Sequence, residues 1–426
     1  MRWRFWSRRS RPPLSQPVSE AAVRLAGRRI LLISQHPYPA HRVLRRNVDF
    51  LAAQGAEVDV VCLASPGAST PPPPGVRLHR VPLAHRRAHA LRYAFEYLAF
   101  FAAAFVCALV LSLRRRYDAV QVENPPDFLL FTALPARLRG ARLVLYLLEL
   151  TPELLAARLE VGESHVLTLL ATALERAATA VADQVITVSE ACRRRVEARG
   201  VPADKLWVVN GSVPTRDLPA ARPALPGPYL VVVATLIKRY GVDVAIRALA
   251  ALGPAGAELR LLVLGEGEER PGLEALSQEL GLADRVVFAG LLPWEVAMAQ
   301  VRAAAVGLVP VVADGYGELI LPTKLLEYVA LEVPAVCSRL PTIAEHFRPD
   351  SLAYFEPGDH LGLAAQVGRL LADPDAARRQ ARIALEDLGE LSWERASQRY
   401  LAALAAASGE QPATALASED AGIATG

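Results

Sequence analysis

The chain has 426 residues, 52% hydrophobic and 21% charged, which is enough apolar material for two ordinary cores and too much for a disordered chain. Against 44 Asp and Glu, 47 Lys and Arg leave a net charge of +3, which excludes a domain-wide basic field for wrapping nucleic acid. The four cysteines, Cys62, Cys107, Cys192 and Cys337, form no CxxC pair and have no histidine at ligand spacing, so zinc and disulfide frameworks are excluded and a reducing, cytoplasmic compartment is expected.

Residues 1–28 form a basic tail whose first stretch, MRWRFWSRRSRPP, holds five arginines and three aromatics with no acidic residue. No apolar core region follows, so it does not read as a cleavable secretion signal. It suits an anionic surface such as a membrane or RNA, or is a tail without a partner.

From Arg28 onward, short β-branched runs alternate with helical stretches: RRILLIS, a helix near Val43 to Gln54, AEVDVVCL and VRLHRVPL, then DAVQVE, ARLVLYLLE, DQVITVS and LWVVNGS. That alternation predicts a doubly wound parallel-sheet domain over residues 29–212. Between its third and fourth strands lies Tyr97 to Leu113, 17 residues without a charge, with Arg86, Arg87 and Arg92 before it and Arg114, Arg115 and Arg116 after it. As a helix it spans about 25 Å, borderline for a bilayer. Basic residues on both flanks, and strands of one sheet on both sides, predict a buried or interfacial helix in a protein peripheral on the inner membrane face.

Residues 213–228, with five prolines, read as a linker. The alternation restarts with PYLVVVA, ELRLLVLG, DRVVFAG, AVGLVPVV and PAVCS, five strands of a second Rossmann-like domain over 229–390. A terminal helix over 391–408 and a disordered tail over 409–426 complete the chain. The fold class is therefore α/β, two Rossmann-like doubly wound parallel-sheet domains facing a cleft.

Ligands of open parallel sheets bind beyond the carboxyl ends of the strands, so motifs just after strands carry the chemistry. ELRLLVLG ends in Gly265-Glu266-Gly267, either a tight turn or a backbone approach to a ligand. YLVVVA runs into Lys238-Arg239 ahead of a helix, where cations oppose the helix dipole unless an anion such as a diphosphate sits there. Only Lys205, Lys238 and Lys324 are lysines in a chain whose other cations are arginine, and two of the three fall in such motifs. In LPTKLLEYVALEVPAV, Pro322 suits a helix start and Glu327 is expected to face the sheet end, an acceptor suited to the two hydroxyls of a ribose.

These residues resemble a retaining glycosyltransferase of the GT-B fold, family 4 (glycosyl transferases group 1), over about residues 29 to 405. The resemblance rests on HPYPAHRVLRRNVDFLAAQGAEVDVVCL, YDAVQVENPPDFLLF and GARLVLYLLELTPELL in the first domain. In the second it rests on ATLIKRYGVDVAIRALA, LVLGEGEER, DRVVFAGLLP and LPTKLLEYVALEVPAV. It implies a nucleotide-diphosphate sugar bound mainly by the second domain, a glycan or lipid-linked acceptor on the first, an anionic membrane surface as partner, and transfer without metal or other cofactor.

Carried over by position, Glu327 matches the second glutamate of the family's E-x7-E motif. The first falls at Leu319, with Glu318 beside it as the substitute. The family's diphosphate-binding Arg and Lys fall at Thr235 and Tyr240, leaving Lys238 and Arg239 as substitutes, and the family's sugar-contacting histidine falls at Leu148. The implied site comprises Glu318, Lys238 and Arg239 in catalysis; Glu327, Lys324, Gly265, Gly267, Leu319 and Thr323 on the donor; and His41, Asn124, Asp127 and Glu149 on the acceptor side. A degenerate sugar-nucleotide-binding or scaffold protein of the same fold is the alternative, and an epimerase or phosphorylase of this fold is a third reading.

Overall fold

The computed structural model describes residues 25–64, 71–83, 90–210, 213 and 218–407. The expectations for residues 1–24, for Arg86 and Arg87, for most of the linker and for the 409–426 tail lie outside these residues.

Seven strands form the first sheet: β1 (Arg29–Pro37), β2 (Glu57–Leu63), β3 (Val76–Val81), β4 (Ala119–Glu123), β5 (Arg142–Leu147), β6 (Gln184–Thr187) and β7 (Leu206–Val208). Six form the second: β8 (Tyr229–Val233), β9 (Arg260–Leu264), β10 (Val286–Gly290), β11 (Val306–Val309), β12 (Ala335–Ser338) and β13 (Ala353–Phe355). Their orders are β3-β2-β1-β4-β5-β6-β7 and β10-β9-β8-β11-β12-β13, with parallel pairing throughout. Central strands such as β1 are buried on both sides, which is why they read as continuous apolar runs rather than alternating ones. Each order reverses once, between β1 and β4 and between β8 and β11, so two switch points open at the carboxyl ends.

The sequence reading gives the second sheet five strands; the structure adds β13, three residues paired to β12 from Val336↔Ala353 onward. So short a segment carries no periodicity of its own. A second difference concerns the terminal helix, Trp393–Ala407, which follows the second domain in sequence but packs on the first. Tyr400 is fully buried there and donates its hydroxyl proton to Gln121 Oε1 of β4 at 2.7 Å. Phe50 meets Trp393 edge-on at 5.3 Å, and the Arg46 guanidinium lies 4.1 Å over the same indole.

The apolar segment is part of a longer helix, Ala90–Arg114, connecting β3 to β4 of one sheet. Phe100, Ala104, Ala108 and Leu111 form its buried stripe, spaced one turn apart, while Phe95, Leu98, Val106 and Leu113 on other faces stay exposed. Among the described residues it is the one helix long and apolar enough to cross a bilayer, yet a third of its apolar window is buried in the protein.

The two domains touch through a strap after β11. Tyr316 is buried within the first domain's core cluster, and Ser189 Oγ donates to the Leu319 carbonyl at 2.9 Å. Arg194 and Glu345 form an ion pair across the same junction at 2.6 Å.

Candidate functional site

A cleft of about 1740 Å³ lies between the domains at the carboxyl ends of both sheets. His36, His41, Leu148 and Glu149 line it from the first domain, and Thr235, Lys238, Asp314, Thr323 and Lys324 from the second. Its apex is where the helix after β8 begins. Gly241 caps that helix at φ +58°, and a Cβ there would strike the Pro310 carbonyl beyond β11, so only glycine lets the turn close this tightly on the switch point.

Lys238 and Arg239, equivalent in the sequence reading, are not equivalent in space. Arg239 Nε donates to Asp314 Oδ2 at 2.7 Å, and its guanidinium stacks 4.7 Å from the Tyr316 ring, so its charge is already neutralised. Lys238 is exposed on the cleft wall, and among the described residues no carboxylate lies within ion-pair distance of it. Of the pair, Lys238 is the cation available to an incoming anion.

Glu327 sits on the helix Thr323–Ala330, 1% exposed. Trp294 Nε1 donates to its Oε1 at 3.2 Å, Lys324 Nζ lies 3.4 Å from Oε2, and Arg42 of the first domain forms an ion pair with Oε1. Arg42 also stacks 5.4 Å from the Trp294 ring. Neither Arg42 nor Trp294 is singled out by local sequence, because both reach Glu327 only through the domain pairing. The carboxylate expected to take a ribose is thus held by a guanidinium of the facing domain.

Burial, together with the nearby Arg42 charge, lowers the Lys324 ammonium to about 8. A lysine near its midpoint binds a diphosphate best below that pH and takes up protons when the anion arrives. We therefore expect nucleoside-diphosphate affinity to fall as pH rises through 8, and calorimetry in buffers of different ionisation enthalpy to record proton uptake on binding near that pH. Binding without proton exchange there would place Lys324 away from the phosphates.

Several expected ligand contacts are turned elsewhere. A Cβ at Gly265 or Gly267 would meet the backbone of Ala234 or Leu236, so both glycines permit one strand end to pack against the next, and neither lines the cleft. Glu318 is exposed to solvent outside the cleft lining. Leu319 faces the first domain, its carbonyl held by Ser189 as above. Thr323 does line the cleft beside Lys324.

On the acceptor side, Asn124 and Asp127 act behind the wall rather than on it. Asn124 is 0% exposed; its Nδ2 donates to Asp127 Oδ1 at 2.7 Å and to the Glu149 carbonyl at 2.6 Å. Its Oδ1 accepts from the N–H groups of Leu148 at 2.7 Å and Glu149 at 3.2 Å. One side chain thereby ties the ends of β4 and β5 together and aims Leu148 and Glu149 into the cleft. Burial raises Asp127 to about 6 and Glu149 above its usual range, with Arg239 opposing the latter.

His41 lines the cleft as expected, but its Nδ1 caps the helix Arg42–Ala53 by accepting from Leu44 N–H at 3.4 Å. Its ring stacks on His36 at 3.8 Å, and burial with that neighbour lowers it to about 3, so it is a neutral imidazole. An ion-pair network on the cleft wall has no local signature in the sequence. Arg195 and Arg199, one helical turn apart, reach the cleft wall and both pair with Glu153, and Arg199 binds Glu175 as well.

Comparisons with known proteins place this geometry. Residues 40–211 match the family model described as a glycosyl transferase 4-like domain, and residues 227–373 match that of glycosyl transferases group 1. The chain is 30% identical over 236 residues to 2-deoxystreptamine glucosyltransferase of Streptomyces kanamyceticus, covering 52% of this chain and 59% of that protein. It is 29% identical over 251 residues to D-inositol 3-phosphate glycosyltransferase of Nocardia farcinica, covering 55% and 54%. The matches thus span little more than half the length of these curated relatives.

In fold, it is similar to sucrose-phosphate synthase from Thermosynechococcus elongatus, with TM-score 0.70 and 21% identity over 88% of this chain and 97% of that one. It is also similar to Anabaena HepE in complex with UDP-glucose, with TM-score 0.67 and 18% identity over 89% and 99%. The two family models cover most of the chain, their order follows its two sheets, and the structural likeness extends over both: the protein is a member of the glycosyl transferases of group 1, with the GT-B fold.

Proposed function

We propose that the protein transfers a hexose from a nucleotide-diphosphate sugar to a glycan or lipid-linked acceptor with retained anomeric configuration, working as a peripheral enzyme on the cytoplasmic face of the membrane. The observation that carries the reading is the second-domain wall of the cleft. Two cations, Lys238 and Lys324, line that wall beyond β8 and β11, and the buried Glu327 carboxylate lies behind Lys324, 3.4 Å from its ammonium, the combination that a ribose followed by a diphosphate requires.

In the step itself, the bond from the sugar's anomeric carbon to the diphosphate oxygen breaks, and the acceptor oxygen bonds to the same face of that carbon. The acceptor's proton passes to the departing diphosphate, which leaves as nucleoside diphosphate. No strong external base is needed; charge stabilisation of the leaving group by Lys238 and Lys324 is the main requirement. Glu149 and neutral His41 border the space left for the acceptor.

The names of relatives support this reading. Anabaena HepE is described in complex with UDP-glucose, and other relatives are called lipopolysaccharide 1,6-galactosyltransferases. A second reading, a sugar-nucleotide-binding protein without turnover, is favoured by Leu148 at the histidine position and by the solvent-facing Glu318. Incubating the full chain with UDP-, GDP- and ADP-sugars and a bacterial lipid extract separates the two. The transferase reading expects release of the nucleoside diphosphate and a product whose anomeric configuration matches the donor by NMR; nucleotide binding with neither transfer nor donor hydrolysis would sink it.

A further inference from the structure

We propose that the second domain carries, outside the cleft, a separate binding site for a small phosphate monoester, in a cavity beside the last strand of its sheet.

The cavity, about 460 Å³ in volume, lies between β13, which ends the second sheet, and the helices His360–Ala372 and Pro374–Leu388. It shares no lining residue with the cleft. Three arginines line it, Arg369 from the first helix, Arg379 from the second and Arg339 from the turn after β12, against the single carboxylate of Asp350. Arg339 is partly answered, since its Nε lies 3.4 Å from Glu356 and its guanidinium stacks 4.8 Å from the Tyr354 ring. Arg369 and Arg379 are not. Among the described residues neither has a carboxylate within ion-pair distance, Asp350 included. Asp375, close enough to Arg379 to feel its charge, is already paired with Arg378 at 2.6 Å.

Buried polar support marks this as a constructed site. Gln380 is 7% exposed, and its Oε1 accepts from Arg369 Nη2 at 3.4 Å, while Gln366 Oε1 accepts from Arg369 Nε at 3.0 Å. The two amides orient the guanidinium fork and use two of its five N–H groups, leaving three for a ligand. Gln380 Nε2 adds another donor to the same wall, so donors outnumber acceptors around the cavity. Arginines that merely blunt the open edge of a sheet need no such support.

Two unneutralised guanidinium groups on one cavity repel each other, and a phosphate dianion relieves the repulsion while offering oxygens to both forks. Leu352 and Ile383 supply apolar wall for the body of the ester, and the volume is that of a small-molecule site. A sugar-sized phosphate monoester meets all of these features at once.

Calorimetric titration of the full chain with glucose 6-phosphate, at low ionic strength and with saturating UDP present, tests the site. The wild type should bind glucose 6-phosphate and ignore glucose. The double variant Arg369→Ala, Arg379→Ala should lose about tenfold or more of that affinity while keeping its UDP-induced thermal shift. Equal affinity in the double variant, or no binding by the wild type, would overturn the proposal. So would binding that disappears once UDP fills the cleft, because it would seat the phosphate in the donor site. Inorganic phosphate bound as tightly as the ester would overturn the assignment to an ester, since the apolar wall would then contribute nothing.

Should the double variant fail to fold, Arg379→Gln, at an exposed side chain, should weaken glucose 6-phosphate binding several-fold, and an unchanged affinity would overturn the site. The proposal stands apart from the transferase reading: a wild type that binds glucose 6-phosphate yet shows no UDP shift would sink that reading alone.

Discussion

Replacing Asn124 with alanine is expected to lower the melting temperature by roughly 10 °C, corresponding to about 3 kcal/mol or more. The residue is fully buried and serves five partners at once, Asp127, the Thr151 hydroxyl, the Glu149 carbonyl and the N–H groups of Leu148 and Glu149. Alanine removes all of these bonds at once and leaves the buried Asp127 carboxyl without that donor.

Asn124→Asp provides the diagnostic contrast. It keeps the acceptor for the two N–H groups but sets a second carboxylate against Asp127, which burial already raises to about 6. Its destabilisation should therefore be largest at neutral pH and shrink as pH falls below 6, when the pair shares a proton. Thermal unfolding of both variants across pH 5 to 8 checks this; an alanine variant melting within about 2 °C of wild type would mean that the Leu148–Glu149 turn holds its shape unaided.

The second large effect is on nucleotide affinity. Glu327→Ala is expected to weaken nucleoside-diphosphate binding by about 10- to 150-fold, the equivalent of 1.5 to 3 kcal/mol for a charged acceptor removed from two hydroxyls. That carboxylate is held by Arg42, Trp294 and Lys324, so a nucleotide must displace Arg42 to reach it. Arg42→Ala should then move affinity in the opposite direction, tightening binding several-fold by removing the competitor. Calorimetric titration of both variants with UDP decides the point, and an unchanged affinity in Glu327→Ala would move the ribose elsewhere.

The elements whose signal is local were legible in the sequence. β-branched runs with helices between them gave both sheets, and the LPTKLLEYVALEVPAV stretch gave a helix that buries Glu327. What the sequence concealed depends on distant partners. The terminal helix shares its core with residues near the start of the chain, and no window around Tyr400 encodes Gln121.

The same holds inside the cleft. Lys238 and Arg239 are neighbours with the same charge, and only the position of Asp314 makes one free and the other neutralised. Gly265 and Gly267 resemble ligand-binding glycines because close backbone approach is what both uses share; here the approaching backbone is the protein's own.

The central claim is that Glu327, Lys324 and Lys238 form the seat of a nucleoside diphosphate. Determining where UDP binds in a crystal of the full chain tests it most directly. The account predicts the two ribose hydroxyls on the Glu327 carboxylate, Arg42 withdrawn from it, and the diphosphate between Lys238, Lys324 and the first turn of the helix Val242–Ala251. A nucleotide bound elsewhere, with Arg42 and Glu327 still paired, would contradict it.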